Sequence, residues 1–367
     1  MKQGGDKTLL IRADAGIRMG TGHVMRCLGL AQAWQEHGGR VSFAIAQCPA
    51  RLDQRLRAEG VEVVRLECEP GSEADARATV DAARVRGCTW VAADGYHFTA
   101  RYHERIKTLG ARLLTLDDFG TLEHYWADIV LNQDPIADQG LYVRHEPYTR
   151  LLLGTQYTFL RREFRQHPRP SRQTPAVARR LLVTMGGSDP DNVTEKVIAG
   201  VSEVEVDGLE AVVLVGPSNP HGERLEAAAA CQRNIRLLRD PPNIPELMAW
   251  CDLAVTAGGS TLWELAYFYV PSIVLLVAEN QEPAMSLLHD RGACLRLGSG
   301  VLIAPAQLAA VVTGLCHDAT RRAALSAQLG ATVDGQGAER VCAAMIGPPQ
   351  DVPHAMKEPL SALPASR

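Results

Sequence analysis

The sequence predicts an α/β protein made of two doubly wound parallel-sheet domains facing a central cleft, and three observations carry that expectation. Its 367 residues are about twice the ordinary size of one domain. Short apolar runs alternate with helical patterns in two separate series. Between the series lies a polar, Pro- and Arg-rich passage, "RREFRQHPRPSRQTPAVARR", with the character of a linker.

The first series runs "TLLIRAD", "HVMRCLGLAQAWQEHG", "RVSFAIAQ", "RLDQRLRAEG", "VEVVRLE", "ADARATVDAARVRG", "WVAADG", "ARYHERIKTLG", "RLLTLDD" and "ADIVLNQ". Gly39, Gly60, Gly87 and Gly110 each close a helical run just before a strand, where a left-handed C-cap is wanted. The second series opens on "RLLVTMGGSDP" and continues through "LEAVVLVGPSN", "DLAVTAGG" and "PSIVLLVAEN" to "ACLRLG". The expected division is a first domain over 1–165, a linker over 166–178, a second domain over 179–346, and a Pro- and Ser-rich tail, 347–367, without regular structure.

Composition narrows the function. The formal net charge is −4 and neither half carries a long basic block, so nucleic acid is not an expected partner, while a small anionic ligand bound locally is compatible. Nine cysteines, odd in number and without a C-x-x-C pair, read as small core residues of a cytoplasmic protein. The longest apolar runs, such as "SIVLLVA", are strand-sized and far below the ~18 residues of a membrane span, and the N-terminus lacks a signal-peptide stretch. P-loop, H-E-x-x-H and G-x-S-x-G motifs are missing, so neither a metal nor a cofactor is expected.

Open parallel sheets bind ligands at the carboxyl ends of their strands, which directs attention to the strand-to-helix loops. The loop after "LLIRADA" contains Gly20, Gly22 and His23. A third glycine or alanine of a dinucleotide fingerprint would fall at Met25, which disfavours a nicotinamide or flavin site. The glycines allow close backbone approach, and a helix start near His23 directs N–H groups and partial positive charge at an anionic ligand. That charge favours an uncharged imidazole, as a general base requires; the alternative is a histidine that caps its own helix. Asp14, at the first strand's end, either polarises groups beside His23 or bonds the following loop.

In the second series, "DLAVTAGGSTLWELA" places Ser260 and Thr261 at a helix start suited to a diphosphate, with Glu264 one turn inside and able to accept from a ribose diol. Thr261 to Glu264 also reads as a capping box that needs no ligand. Gly186 and Ser188, in "VTMGGSDPDN", repeat the glycine-rich device at a second strand end.

These residues, with "DDFG", "LLGTQYTFLRREF", "NIPELMAWCDLAVTAGGSTLWELA", "AENQ" and "DGQGAERV", together resemble a known family over about Leu9 to Ala344. It is that of bacterial hydrolases that cleave UDP from UDP-2,4-diacetamido-2,4,6-trideoxy-β-L-altropyranose in pseudaminic acid biosynthesis, with the related spore-coat polysaccharide proteins. The resemblance implies a GT-B-like fold, with UDP held by the second domain and the sugar facing the first. It implies that His23 activates water for inverting attack on the anomeric carbon, and that Tyr96 and Asn280 lie on the sugar side. Arg161 and Glu264 correspond to substrate-binding positions, and Gly186, Ser188, Asn243, Ile244, Ser260 and Thr261 to nucleotide-binding loops. The sequence departs from the family at "GIRM" before Gly20 and at "DGYHF" around Tyr96, both on loops that the resemblance turns toward the sugar.

UDP leaves as a stable anion, so such a reaction needs a positioned base and charge stabilisation but no second carboxylic acid to protonate the leaving oxygen. A UDP-sugar-dependent glycosyltransferase of the same fold is one alternative, and a non-catalytic nucleotide-sugar-binding protein of polysaccharide assembly is another.

Overall fold

The computed structural model describes residues 7–16 and 19–347. Ile17 and Arg18 of the "GIRM" departure, the first six residues, and the expected tail from 348 onward lie outside the described residues.

Seven strands, β1 (Thr8–Ala13), β2 (Arg40–Ile45), β3 (Glu62–Arg65), β4 (Trp90–Asp94), β5 (Arg112–Leu116), β6 (Ile129–Asn132) and β7 (Arg150–Leu153), form a parallel sheet in the order β3-β2-β1-β4-β5-β6-β7. Its helices are α1 (Gly22–Glu36), α2 (Ala50–Ala58), α3 (Glu73–Val85) and α4 (Ala100–Thr108), and a short α5 (Arg162–Gln166) follows β7. A second parallel sheet comprises β8 (Arg180–Thr184), β9 (Glu210–Val215), β10 (Ile235–Arg239), β11 (Leu253–Ala257), β12 (Ser272–Leu276) and β13 (Leu295–Ser299), ordered β10-β9-β8-β11-β12-β13. Around it lie α6 (Val193–Ser202), α7 (Gly222–Ala230), α8 (Ile244–Trp250), α9 (Thr261–Tyr267), α10 (Glu282–Asp290), α11 (Pro305–His317) and α12 (Ala319–Gly330); α13 (Gly337–Ile346) is last.

The strands are apolar runs because both faces of each sheet are covered. Along β1, Leu9 and Ile11 pack with Val24, Cys27 and Leu28 of α1, while Leu10 turns to the opposite face, toward Val80 of α3 and Ile106 of α4. Each such fully buried leucine or isoleucine contributes about 1.5–3 kcal/mol of burial free energy.

Two expectations are corrected. The left-handed stop after α1 is Gly38 (φ 75°) rather than Gly39. Gly39 instead lies against the Trp34 indole, which a Cβ would meet at 2.3 Å. The second domain also does not extend to residue 346. Ala338, Val341, Cys342 and Met345 of α13 belong to the first domain's core, whereas Leu160 and Phe164, before the linker, belong to the second's. Helical periodicity reveals that a face is apolar but not which core will receive it, so this exchange is invisible in one dimension.

Residues 167–179 form no helix or strand, and Arg169 and Arg172 bind carbonyls at or just beyond helix ends. Arg169 donates to the carbonyls of Tyr267 (2.9 Å), Gly330 (2.8 Å) and Val333 (2.8 Å), and Arg172 to those of Phe268 (2.7 Å), Cys251 (2.5 Å) and Met248 (2.5 Å). Cations here satisfy the carbonyls that a helix terminus leaves unpaired. Among the described residues no helix is long and apolar enough to cross a membrane.

Candidate active site

Each sheet reverses its winding between two neighbouring strands, β1 and β4 in the first and β8 and β11 in the second. Connections leave such a pair in opposite directions, opening a crevice at the carboxyl ends. The loops named from the sequence lie at these points: Gly20 to His23 after β1, Tyr96 after β4, Gly186 to Ser188 after β8, and Ser260 after β11. The two domains meet there. A Cβ on Gly187 would fall 2.4 Å from Thr21 Oγ1, so a larger residue there would displace the Thr21 side chain, and Gly20 (φ 77°) turns toward Ser188, whose Oγ would lie 3.8 Å from an added Cβ.

His23 occupies the first turn of α1 and is buried. Its Nδ1 lies 2.7 Å from Oδ1 of Asp94, the last residue of β4, which pairs with Ala13 at the end of β1. Asp94 also receives Arg26: Nε donates to Oδ2 and Nη2 to Oδ1, each at 2.6 Å. The guanidinium continues to Asp118, just beyond β5, donating from Nη1 to both carboxylate oxygens at 2.9 and 3.0 Å. Tyr96 closes the network, its hydroxyl donating to Asp118 (3.1 Å) and its ring meeting the His23 ring edge-on at a centroid separation of 4.7 Å.

Burial by itself would push the Asp94 carboxyl up, but Arg26 and His23 overcome it and hold the group well below the usual carboxylate range. Burial likewise opposes the Arg26 charge, which Asp118 and Asp94 more than restore. Cys27, whose thiol donates to Asp94 at 3.3 Å, is pushed far up by burial and then by Asp94, so it stays a thiol. Tyr96 is pushed up by burial and by Asp118 and stays a phenol. A permanently ionised carboxylate at Nδ1 accepts the Nδ1 proton and leaves Nε2 as the basic nitrogen, the arrangement a general base uses.

Asp14 is not the partner of His23. Its Oδ1 accepts from the backbone N–H groups of Ala46 (2.8 Å) and Gln47 (2.9 Å), and its Oδ2 pairs with Arg12 (2.7 Å). It anchors the loop after β2, because alternation along β1 sends its side chain away from α1.

In the second domain, Ser260 precedes α9 without capping it, and Glu264 makes no capping box. Glu264 instead accepts from Arg161 Nη2 at 2.8 Å, and Arg161 Nη1 lies 3.9 Å from the sulfur of Met25 in α1. Arg161 thus joins the His23 helix to α9. Burial pushes the Glu264 carboxyl up, with Arg161 acting against it. The start of α6 is already occupied: Asp189 accepts from the N–H groups of Val193 and Thr194, both at 2.9 Å. Of the two glycine-rich strand ends, the start of α9 is the one with no side-chain cap. Asn243 precedes α8 without a capping bond, Ile244 begins that helix, and Asn280 is exposed on the turn Glu279–Gln281.

The structure therefore joins His23 to Tyr96, Gly20 to Ser188, and Arg161 to Glu264. Reading the sequence alone misses Asp94, Arg26 and Asp118. A signal existed, since His23, Arg26 and Cys27 stand at i, i+3 and i+4 on one helix face, and acidic residues close both "WVAAD" and "LLTLDD".

Comparison with known proteins agrees with this architecture. Residues 181–341 match the family model of the glycosyltransferase family 28 C-terminal domain. The chain is 27% identical over 248 residues to the spore coat polysaccharide biosynthesis protein SpsG of Bacillus subtilis, covering 65% of this chain and 71% of that protein. It is 23% identical over 286 residues to the UDP-2,4-diacetamido-2,4,6-trideoxy-β-L-altropyranose hydrolase of Campylobacter jejuni, covering 77% and 97%. In three dimensions it resembles the crystal structure of Acinetobacter baumannii MurG, with a TM-score of 0.62 and 15% identity over 91% of this chain and 98% of that one. The chain is thus similar in sequence to that hydrolase and to SpsG, and it has the GT-B fold.

Proposed function

We propose that the protein is a metal-independent, inverting nucleotide-sugar hydrolase that releases UDP from UDP-2,4-diacetamido-2,4,6-trideoxy-β-L-altropyranose. The observation that carries this reading is the His23–Asp94 pair at the mouth of β1 and β4, opposite the second domain's glycine-rich loop. In the proposed reaction, Nε2 of His23 takes a proton from water, whose oxygen forms the new bond to the anomeric carbon. The bond from that carbon to the diphosphate oxygen breaks on the opposite face, and its electron pair leaves with UDP. Asp94 fixes the ring through Nδ1.

In this reading the start of α9, Ser260 and Thr261, receives the diphosphate together with Gly186 and Ser188. Glu264 accepts from the ribose diol, and Asn243 and Ile244 border the nucleotide. Gly20 and Gly22 admit the substrate beside the backbone, Tyr96 and Asn280 face the sugar, and the reaction takes place in the cytoplasm. A UDP-sugar transferase is the second reading, favoured by the match of residues 181–341 to a glycosyltransferase domain.

The test is incubation of the purified protein with a panel of diacetamido UDP-sugars, following UDP and the anomeric configuration of the product by NMR. Water-dependent release with inversion is the expected result. Release that requires an added sugar or lipid acceptor would establish the transferase, and tight binding without turnover would establish a binding protein.

A further inference from the structure

Arg26 lies one helical turn beyond His23 and binds both oxygens of Asp94 and both of Asp118. Its Nη2 is 3.5 Å from His23 Nδ1, so Asp94 Oδ1 is shared between the imidazole and the guanidinium. Two carboxylates and one guanidinium leave one net negative charge beside the ring. Without the guanidinium there would be two, and both would favour a proton on the imidazole.

Of the other titratable groups facing this cluster, none adds positive charge at neutral pH. Cys27 on α1 and Tyr96 on the loop after β4 remain uncharged, both pushed up chiefly by burial. Asp134, on the loop after β6, interacts with Asp118 and Arg26, and burial pushes its carboxyl up to about 6, so any charge it carries is again negative.

We propose that Arg26 is a positioning residue for the His23 base: by bridging Asp94 and Asp118 it holds the carboxylate that orients the ring and offsets the negative charge that would otherwise keep a proton on the imidazole. This rests on the reading of His23 as the base, but it makes a claim about proton affinity that can be read without turnover. The geometry supports Arg rather than Lys in this role, because its planar fork reaches two carboxylates at once.

The experiment compares Arg26→Gln, Arg26→Lys and Asp118→Asn in the full chain. The His23 ring is titrated by NMR, with His23→Asn identifying its resonance, and kcat/KM for UDP release is followed against pH. In Arg26→Gln the ring midpoint should rise so that its proton affinity increases about tenfold or more, and the acid limb of kcat/KM should move up with it. Arg26→Lys should restore most of the midpoint while recovering less of kcat. Asp118→Asn should move the midpoint down, because it removes negative charge beyond the guanidinium. A merely structural role would not give opposite signs. An unmoved midpoint in Arg26→Gln, or a midpoint that rises in Asp118→Asn, would overturn the proposal. If Arg26→Gln does not fold, Asp118→Asn, which is isosteric, decides by its sign. Absence of UDP release from the wild-type protein would remove the hydrolase reading, and the ring titration would still decide whether Arg26 sets the proton affinity of His23.

Discussion

The first domain contains two buried networks assembled from the same parts. In one, Arg12 pairs with Asp75 and Asp14, Tyr102 donates to Asp75 (3.2 Å), and His97 lies 3.3 Å from Asp14. In the other, Arg26 pairs with Asp94 and Asp118, Tyr96 donates to Asp118, and His23 lies against Asp94. They differ in access. Tyr102 is 3% exposed and Tyr96 is 56% exposed. The first network sits beneath α3 and α4, where Gly71 and Thr79 consume the remaining lone pairs of Asp75 (2.8 and 3.0 Å). The second opens at the carboxyl ends of β1 and β4. Chemical composition does not distinguish a fastening from a site; position relative to the crevice does.

The largest expected effects separate the two networks by kind. Asp94→Asn should lower the rate of UDP release about 100- to 10,000-fold, as loss of an oriented base does, with the fold retained because Asp118 still holds Arg26. Arg12→Met should instead cost about 3–5 kcal/mol of stability, because Asp75 and Asp14 would be left buried and uncompensated, while folded molecules keep their turnover. Urea unfolding and single-time-point UDP assays on both variants check this. Equal losses of activity per folded molecule would dissolve the comparison.

Acid titration sharpens it next. Burial would raise Asp14, but His97, Arg12 and two backbone N–H groups bring it down from the ordinary 3.8 to about 2. A depressed carboxyl contributes stability that is full above its unfolded value and is lost as pH falls through the folded one. Asp14→Asn should therefore remove about 2 kcal/mol at neutral pH, a loss that fades between the ordinary value and pH 2.

Asp134 beside the second network has the opposite sign. Burial raises it to about 6, so the folded state retains a proton that the unfolded chain has already released. Stability should increase as pH falls through 6 toward the ordinary value, and Asp134→Asn should gain about 1–2 kcal/mol at pH 7 while abolishing that part of the pH dependence. Melting temperatures from pH 4 to 8 test both aspartates in one series.

The smallest contrast is between the tyrosines. Tyr102→Phe should cost about 1–2 kcal/mol by leaving Asp75 short of a buried donor, whereas Tyr96→Phe should leave stability nearly unchanged, since Tyr96 is an exposed residue at the open end of its network and water can reach Asp118 in its place.

The two networks also mark the limit of what could be read from one dimension. Asp14 and Asp94 both stand at strand ends one or two residues before a glycine, and the linear order favours Asp14, nine residues before His23. Register decides otherwise: Asp94 closes the strand beside β1 and faces α1, while Asp14 turns toward the loop after β2. Thr261 to Glu264 has the form of a capping box, yet Arg161, about a hundred residues earlier in the chain, claims the glutamate.

By itself the sequence determined the alternation of strands and helices, the two doubly wound sheets, and the glycine-rich loops where a ligand would be met, though not the edge strand β7 or the helices α11 to α13, because hydrophobic period and chain-reversing residues act over a few neighbouring positions. Only the tertiary structure decided which aspartate serves His23, which core receives α13, and that Arg26 and Arg161 tie separate segments together. Those choices depend on strand register and on charges that pair across the fold when water is removed, and neither leaves a local trace in the chain.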